Sequence, residues 1–151
     1  MASRQLLVFK LNGDSYGVEI TNVDSIVPMK EIVKVPNTPD YIQGLMSLRG
    51  KVYTIFNLRK KFSLPDQEFD ENTKIVIVDV NSVTVGFIVD EVNEITHIEE
   101  EDIENTPQSL EKLGRKYMSG IAKVSEKIIM ILDLSHLLSF NDNDIAKAGS
   151  N

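Results

Sequence analysis

The sequence predicts a mostly β protein: two small barrels, arisen by internal duplication, that share an apolar interface and carry short helices. Three observations lead there. The chain has 151 residues, which suits one ordinary domain or two very small units built on one core. Hydrophobic residues make up 42% and charged residues 26%, an ordinary globular balance that excludes collagen, disordered tails and coiled-coil rods. Third, the chain repeats itself. With Gly17 placed over Gly86, an offset of 69, Leu6-Leu7-Val8-Phe9 falls on Ile75-Val76-Ile77-Val78, and Val23 and Ile26 fall on Val92 and Ile95. With Gly44 over Gly120, an offset of 76, residues 52–58 fall on 128–134 and Lys51 on Lys127. The second copy therefore carries seven extra residues within 96–119. The sub-barrels would span about 6–62 and 75–138 of a single domain covering 1–151, with strand exchange between them as an open possibility.

The elements follow in order. Residues 6–11 and 15–20 are β-rich runs around Asn12-Gly13-Asp14, and 75–80 and 83–89 flank Asn81-Ser82; each pair predicts a hairpin. Short helical turns are predicted at 21–27 and 90–95. Thr21 and Asp90 would be their N-caps, and Val23/Ile26 and Val92/Ile95 sit three apart. Thr38-Pro39 opens a further turn through Ile42. Strands 43–48 and 51–58 meet at Arg49-Gly50, and 120–124 and 127–134 meet at Ser125-Glu126. Arg59-Lys60-Lys61 reads as a solvated helix start. Thr106-Pro107 opens a helix over 108–113 that Gly114 stops. A C-terminal helix starts over 134–138, and the tail 146–151 frays. Four or five short strands per copy favour closure, because closing a sheet removes its adhesive edges.

Charge and composition narrow the function classes. Sixteen Lys and Arg stand against 23 Asp and Glu, a net charge of −7, which disfavours nucleic acid and anionic lipid as main ligands. The absence of cysteine excludes disulfides, thiolate nucleophiles and Cys-ligated metal sites. Neither a signal peptide nor an apolar run near the ~20 residues of a membrane helix is present, so a cytoplasmic protein is expected. His97 and His136 lie in no catalytic signature. The acidic run 99–104 lacks the spaced ligands and glycine of a calcium loop, as does Asp142-Asn143-Asp144. No nucleotide-binding, nucleophile-elbow or zinc-protease motif occurs. The expectation is no enzyme, no metal and no cofactor.

Two features stand out against this background. Arg49 occupies a hairpin tip where Gly50 can take positive φ, and its repeat equivalent is Ser125. The fold does not need arginine there, so Arg49 is either a functional group or a soluble turn residue. Ile20 and Val23 correspond to Val89 and Val92. Around a pseudo-twofold axis these four approach one another, either as plain core or as an apolar groove that takes a partner helix.

The segment Tyr41-Ile42-Gln43-Gly44-Leu45-Met46-Ser47-Leu48-Arg49-Gly50-Lys51-Val52 resembles the "x-I-x-G-x-x-N-L-R-G-x-I" stretch of the CheW family of bacterial chemotaxis coupling proteins. Ile55-Phe56-Asn57-Leu58-Arg59 is similar to the family's "V-I-D-L-R", and Tyr16-Gly17-Val18-Glu19-Ile20 and Val85-Gly86-Phe87-Ile88-Val89-Asp90 complete the pattern. The likeness covers about residues 5 to 140. Ser47 stands where Asn is usual, Thr54 where Pro is common and Asn57 where Asp is common. The resemblance implies two SH3-like five-stranded β-barrels packed about a shared core, with short helices and a C-terminal helix. It implies a cytoplasmic, non-enzymatic adaptor, a monomer when isolated. In membrane-associated arrays it would link the helical tips of chemoreceptors (methyl-accepting chemotaxis proteins) to the regulatory domain of the histidine kinase CheA. It implies receptor binding by Arg49, Ile20, Val23, Val92 and Val89, and kinase binding near Gly44 and Gly50. The same domain type also occurs as the regulatory domain of CheA and in CheV proteins, which is the alternative reading.

Overall fold

The computed structural model describes residues 3–107 and 117–138. Eleven strands form two sheets. In chain order they are β1 (Ser3–Leu11), β2 (Asp14–Glu19), β3 (Val23–Pro28), β4 (Ile42–Leu48), β5 (Lys51–Asn57), β6 (Lys74–Val80), β7 (Val83–Val89), β8 (Glu91–Glu99), β9 (Ile103–Glu104), β10 (Met118–Val124) and β11 (Lys127–Leu132). Two one-turn helices follow β5 and β11: α1 (Leu58–Lys61) and α2 (Leu134–Leu137). Asn57 caps α1 by accepting from the Lys60 N–H, and Asp133 caps α2 by accepting from Ser135 and His136 N–H groups.

One sheet runs β8-β1-β2-β11-β10-β9 and the other β3-β6-β7-β5-β4. Each sheet thus mixes strands from both halves of the chain. The hairpin β1–β2 sits beside β11, and the hairpin β6–β7 sits beside β5, each through a parallel pair. The register repeats at the offsets seen in the sequence. Val23 pairs with Val78, and shifting both by 69 residues reaches Val92 and Phe9, which also pair. The parallel pair Ile55 with Gly86 has its counterpart in Ile131 with Gly17. Even the bulges coincide, at Ile42/Gly44 and at Met118/Gly120.

Two expectations are corrected. Among the described residues the pairings leave two open sheets of six and five strands instead of two closed five-stranded rings. The predicted helical turns at 21–27 and 90–95 are mainly extended: only Ile20–Asn22 forms a 3-10 turn, and Val23–Pro28 and Glu91–Glu99 are strands. A three-residue spacing does not keep two side chains on one face of a strand, and Ile26 and Ile95 accordingly face solvent, at 41% and 55% exposure. The segment opened by Thr38-Pro39 makes the expected turn, with Ile42 N–H donating to the Pro39 carbonyl, and the Thr38 hydroxyl donates back to the Val35 carbonyl. The predicted helix over 108–113, its stop at Gly114 and the tail 146–151 lie outside the described residues.

The strand alternation explains the packing. On β1, Leu7, Phe9 and Leu11 face a central cluster, while Leu6 and Val8 face a second one. On β6, Val76 and Val78 join the central cluster, and Ile75 and Ile77 join a third with Met46 and Ile55. The central cluster holds Phe9, Phe56 and Phe87, all fully buried, with the Phe9 and Phe87 ring centroids 5.5 Å apart. Because it draws on both sheets, it is where their apolar faces meet.

Candidate functional site

The β4–β5 turn places Arg49 and Gly50 at φ of 52° and 80°. Both residues are left-handed, so the turn is of the mirror-image type that matches strand twist. Arg49 is exposed, and its guanidinium makes no hydrogen bond or ion pair with a described residue. The equivalent turn has Ser125 and Glu126 at 48° and 69°; the hairpin sets the geometry, and the arginine is extra to it. Val52, just beyond the tip, is 65% exposed and extends the presented surface with apolar area that the sequence reading passed over.

The four apolar candidates divide. Ile20, Val23 and Val92 are half-buried and pack against the central cluster. Ile20 and Val23 lie where the chain passes from β2 in one sheet to β3 in the other, and Val92 lies just after the passage from β7 to β8. The structure therefore brings residues from both crossovers onto one core. Val89 is corrected: it is fully buried in that core and offers no contact surface. The inward face of a central strand claims it, as alternation requires.

The two glycines also divide. Gly50 is exposed with open space around it. Gly44 is buried, and a Cβ there would collide with the Val33 carbonyl. Val33 and Leu45 exchange two backbone hydrogen bonds of 2.8 Å, which needs the close approach that only glycine permits. Gly120 does the same for β9, its ideal Cβ lying 3.0 Å from the Glu104 carbonyl oxygen. Gly44 thus has a backbone role.

One pair was missed. Arg59, expected at a solvated helix start, is buried at 7% exposure. Its Nε donates to Asp90 Oδ1 at 3.0 Å and its Nη2 to Asp90 Oδ2 at 2.6 Å. Nη1 donates to the Pro65 carbonyl at 2.6 Å, and Nη2 also meets Gln67. Asp90, expected as an N-cap, instead accepts from Arg59 and from the Asn12 N–H at 2.8 Å. Burial works to raise the Asp90 carboxyl, but the Arg59 and Asn12 hydrogen bonds and the guanidinium charge outweigh it and hold the group below the usual carboxylate range. The hydrogen bond to Asp90 raises Arg59 in turn, against its own burial. The repeat carried a signal: Arg59 aligns with Ser135, the same break in symmetry that singled out Arg49. Lys61, from the same basic run, sits 3.7 Å from the Tyr41 ring centroid, and Lys60 pairs with Asp66 at 3.3 Å.

The remaining polar candidates are peripheral. His97 is exposed, 3.9 Å from Glu99, and His136 approaches Asp133 at 2.8 Å. The acidic run forms the end of β8, a 3-10 turn over Glu100–Asp102 and β9. Among the described residues no helix is long and apolar enough to cross a membrane.

Known proteins extend this picture. The family model of the CheW-like domain matches residues 5–141. The chemotaxis protein CheW of Bacillus subtilis is 33% identical over 134 residues, covering 89% of this chain and 86% of that protein. Its counterpart in Klebsiella aerogenes is 31% identical over 136 residues, covering 90% and 82%. Among solved structures, the scaffolding protein TtCheW from Thermoanaerobacter tengcongensis superposes with a TM-score of 0.85 at 31% identity, covering 95% of this chain and 97% of that one.

Proposed function

This chain belongs to the CheW-like domain family, and from that premise we propose that it is a non-enzymatic adaptor coupling the helical tips of chemoreceptors to the histidine kinase CheA. One observation carries the reading: Ile20, Val23 and Val92, from two different crossovers, remain half-buried over one core, while Arg49 stands exposed without a hydrogen-bond or ion-pair partner among the described residues. A helical tip offers apolar side chains at i, i+3 and i+4 to such a surface, and the guanidinium bonds a carboxylate or carbonyl beside it. Val89 supports Val92 from within. The kinase contact is assigned to the regulatory domain of CheA, which is of this same domain type; Gly50 shapes the tip near it, and Gly44 holds the edge of β4 in form.

In this reading the separate clusters around Leu6 and Ile129 and around Ile75 and Ile77 give each open sheet an apolar interior of its own, beside the core the two sheets share. The protein works in the cytoplasm and is recruited to receptor arrays. The alternative, a regulatory domain of a CheA or CheV protein, is less favoured because CheW relatives align over more than four fifths of both partners.

Co-sedimentation of the purified chain with a receptor cytoplasmic fragment and CheA tests the proposal. Ternary co-sedimentation that needs this chain supports it. Failure to bind either partner, with the chain folded, overturns it.

A further inference from the structure

We propose that Arg59 and Asp90 are positioning residues: their ion pair latches the crossover that places Val92 on the same central cluster as Ile20 and Val23. The functional consequence rests on the groove reading above; the geometry does not.

Asp90 is the single residue between β7, which ends at Val89 in the five-stranded sheet, and β8, which begins at Glu91 in the six-stranded sheet. Its N–H donates to the Lys10 carbonyl at 3.0 Å. Its carboxylate is gripped from both sheets, by Arg59 just after β5 and by the Asn12 N–H in the β1–β2 turn. A bidentate pair plus a third hydrogen bond fixes one carboxylate in all directions, so the path from Val89 to Val92 is held at its hinge. The remaining Arg59 donors, to Pro65 and Gln67, tie the connection between the two halves to the same point.

The chain contains its own comparison. At the equivalent positions Arg59 is replaced by Ser135, Asp90 by Thr21 and Asn12 by Asn81. There Thr21 is exposed, and Asn81 Nδ2 reaches Ser135 Oγ at 3.4 Å. A crossover between these sheets therefore forms without an ion pair at these equivalent positions, although Arg4 and Glu19 pair at the end of β2. Buried pairs are often poor sources of stability and better at specifying one arrangement over others, and that is the role assigned here.

The test uses the full chain and two variants. Asp90→Asn keeps the shape and removes the charge. The double variant Arg59→Ser with Asp90→Thr installs the residues that the chain itself uses at the other crossover. Methyl resonances of Ile20, Val23 and Val92 and amide exchange at Val92 and Phe87 are recorded, together with affinity for a receptor tip fragment and for the CheA regulatory domain. The expected result is cooperative unfolding, shifted Val92 methyls, exchange at Val92 accelerated about tenfold more than at Phe87, receptor affinity lowered about tenfold and kinase affinity changed less than about twofold. A folded variant with unchanged Val92 methyls and exchange overturns the proposal. So does an equal loss of protection at Phe87 and Val92 with an equal loss of both affinities, which is general loosening. Failure of both variants to fold overturns it too, by making the pair a folding requirement. If the unaltered protein binds no receptor fragment, the groove reading fails, and the methyl and exchange data still decide the latch.

Discussion

Arg49 spends conformational energy that its neighbour does not. A non-glycine residue in the left-handed region costs roughly 1–2 kcal/mol, and Arg49 sits there at φ 52° with no hydrogen bond or ion pair to a described residue in return. Replacing it with glycine removes that strain. Arg49→Gly is therefore expected to be as stable as the natural chain or up to about 1 kcal/mol more stable, and to bind receptor fragments more weakly. Urea unfolding beside a pull-down checks both; a variant that binds as well as the parent removes Arg49 from the site. The glycines separate by the same logic. Gly50→Ala keeps open space around the new methyl and should cost about 1 kcal/mol, the left-handed penalty alone. Gly44→Ala meets the Val33 backbone at φ 145° and should cost about 2–4 kcal/mol, with loss of the Val33–Leu45 bridge seen as faster exchange of the Leu45 amide. Similar costs at the two positions would contradict the assignment of Gly44 to packing and Gly50 to turn geometry.

At the scale of elements, the hairpins were legible because β-branched runs met turn residues at both ends. The tip Arg49-Gly50 was legible for the same reason. The stretches 21–27 and 90–95 were not, because their apolar spacing suits a helix as well as a bulged strand, and only the pairing of β3 with β6 and of β8 with β1 decides between them. The repeat singled out Ile20, Val23, Val89 and Val92 together, yet burial of Val89 depends on which face of β7 meets the other sheet, which no local pattern encodes. Asp90 shows the cost of the local view most clearly. As a helix cap it would be a surface group; at the end of β7 it is clamped by Arg59. Its lowered carboxyl has a defined consequence for acid stability. A group whose folded value lies below its unfolded value, near 3.9 for Asp, contributes stability that is present above that pH and lost as pH falls through the folded value. The natural chain should therefore lose more stability than Asp90→Asn on going from about pH 5 to about pH 2. Thermal midpoints of both proteins across that range check it: parallel curves would mean that the pair contributes nothing to the acid response.

The whole molecule is built by exchange. Neither half of the chain owns a sheet: β1 and β2 depend on β8 and β11 for neighbours, and β6 and β7 depend on β3 and β5. The central cluster repeats the dependence, since Phe9 and Phe56 come from one half and Phe87 and Leu132 from the other. A unit of about 60 residues is marginal even with all its own strands, and here it would expose both the edges and the apolar faces of borrowed neighbours. Unfolding should accordingly be a single transition, with Phe87→Ala lowering the stability of both sheets together by about 3–5 kcal/mol. Cutting the chain between the halves gives the sharper test. Fragments 1–68 and 69–151 should each lack strand signal in far-ultraviolet circular dichroism, and an equimolar mixture should regain it with one cooperative melt. The cut lies beyond Gln67, so Arg59 and its partners Pro65 and Gln67 stay on one fragment and meet Asp90 only when the two associate. Either fragment folding alone would mean that the halves are autonomous and that the mixed sheets are not what holds the protein together.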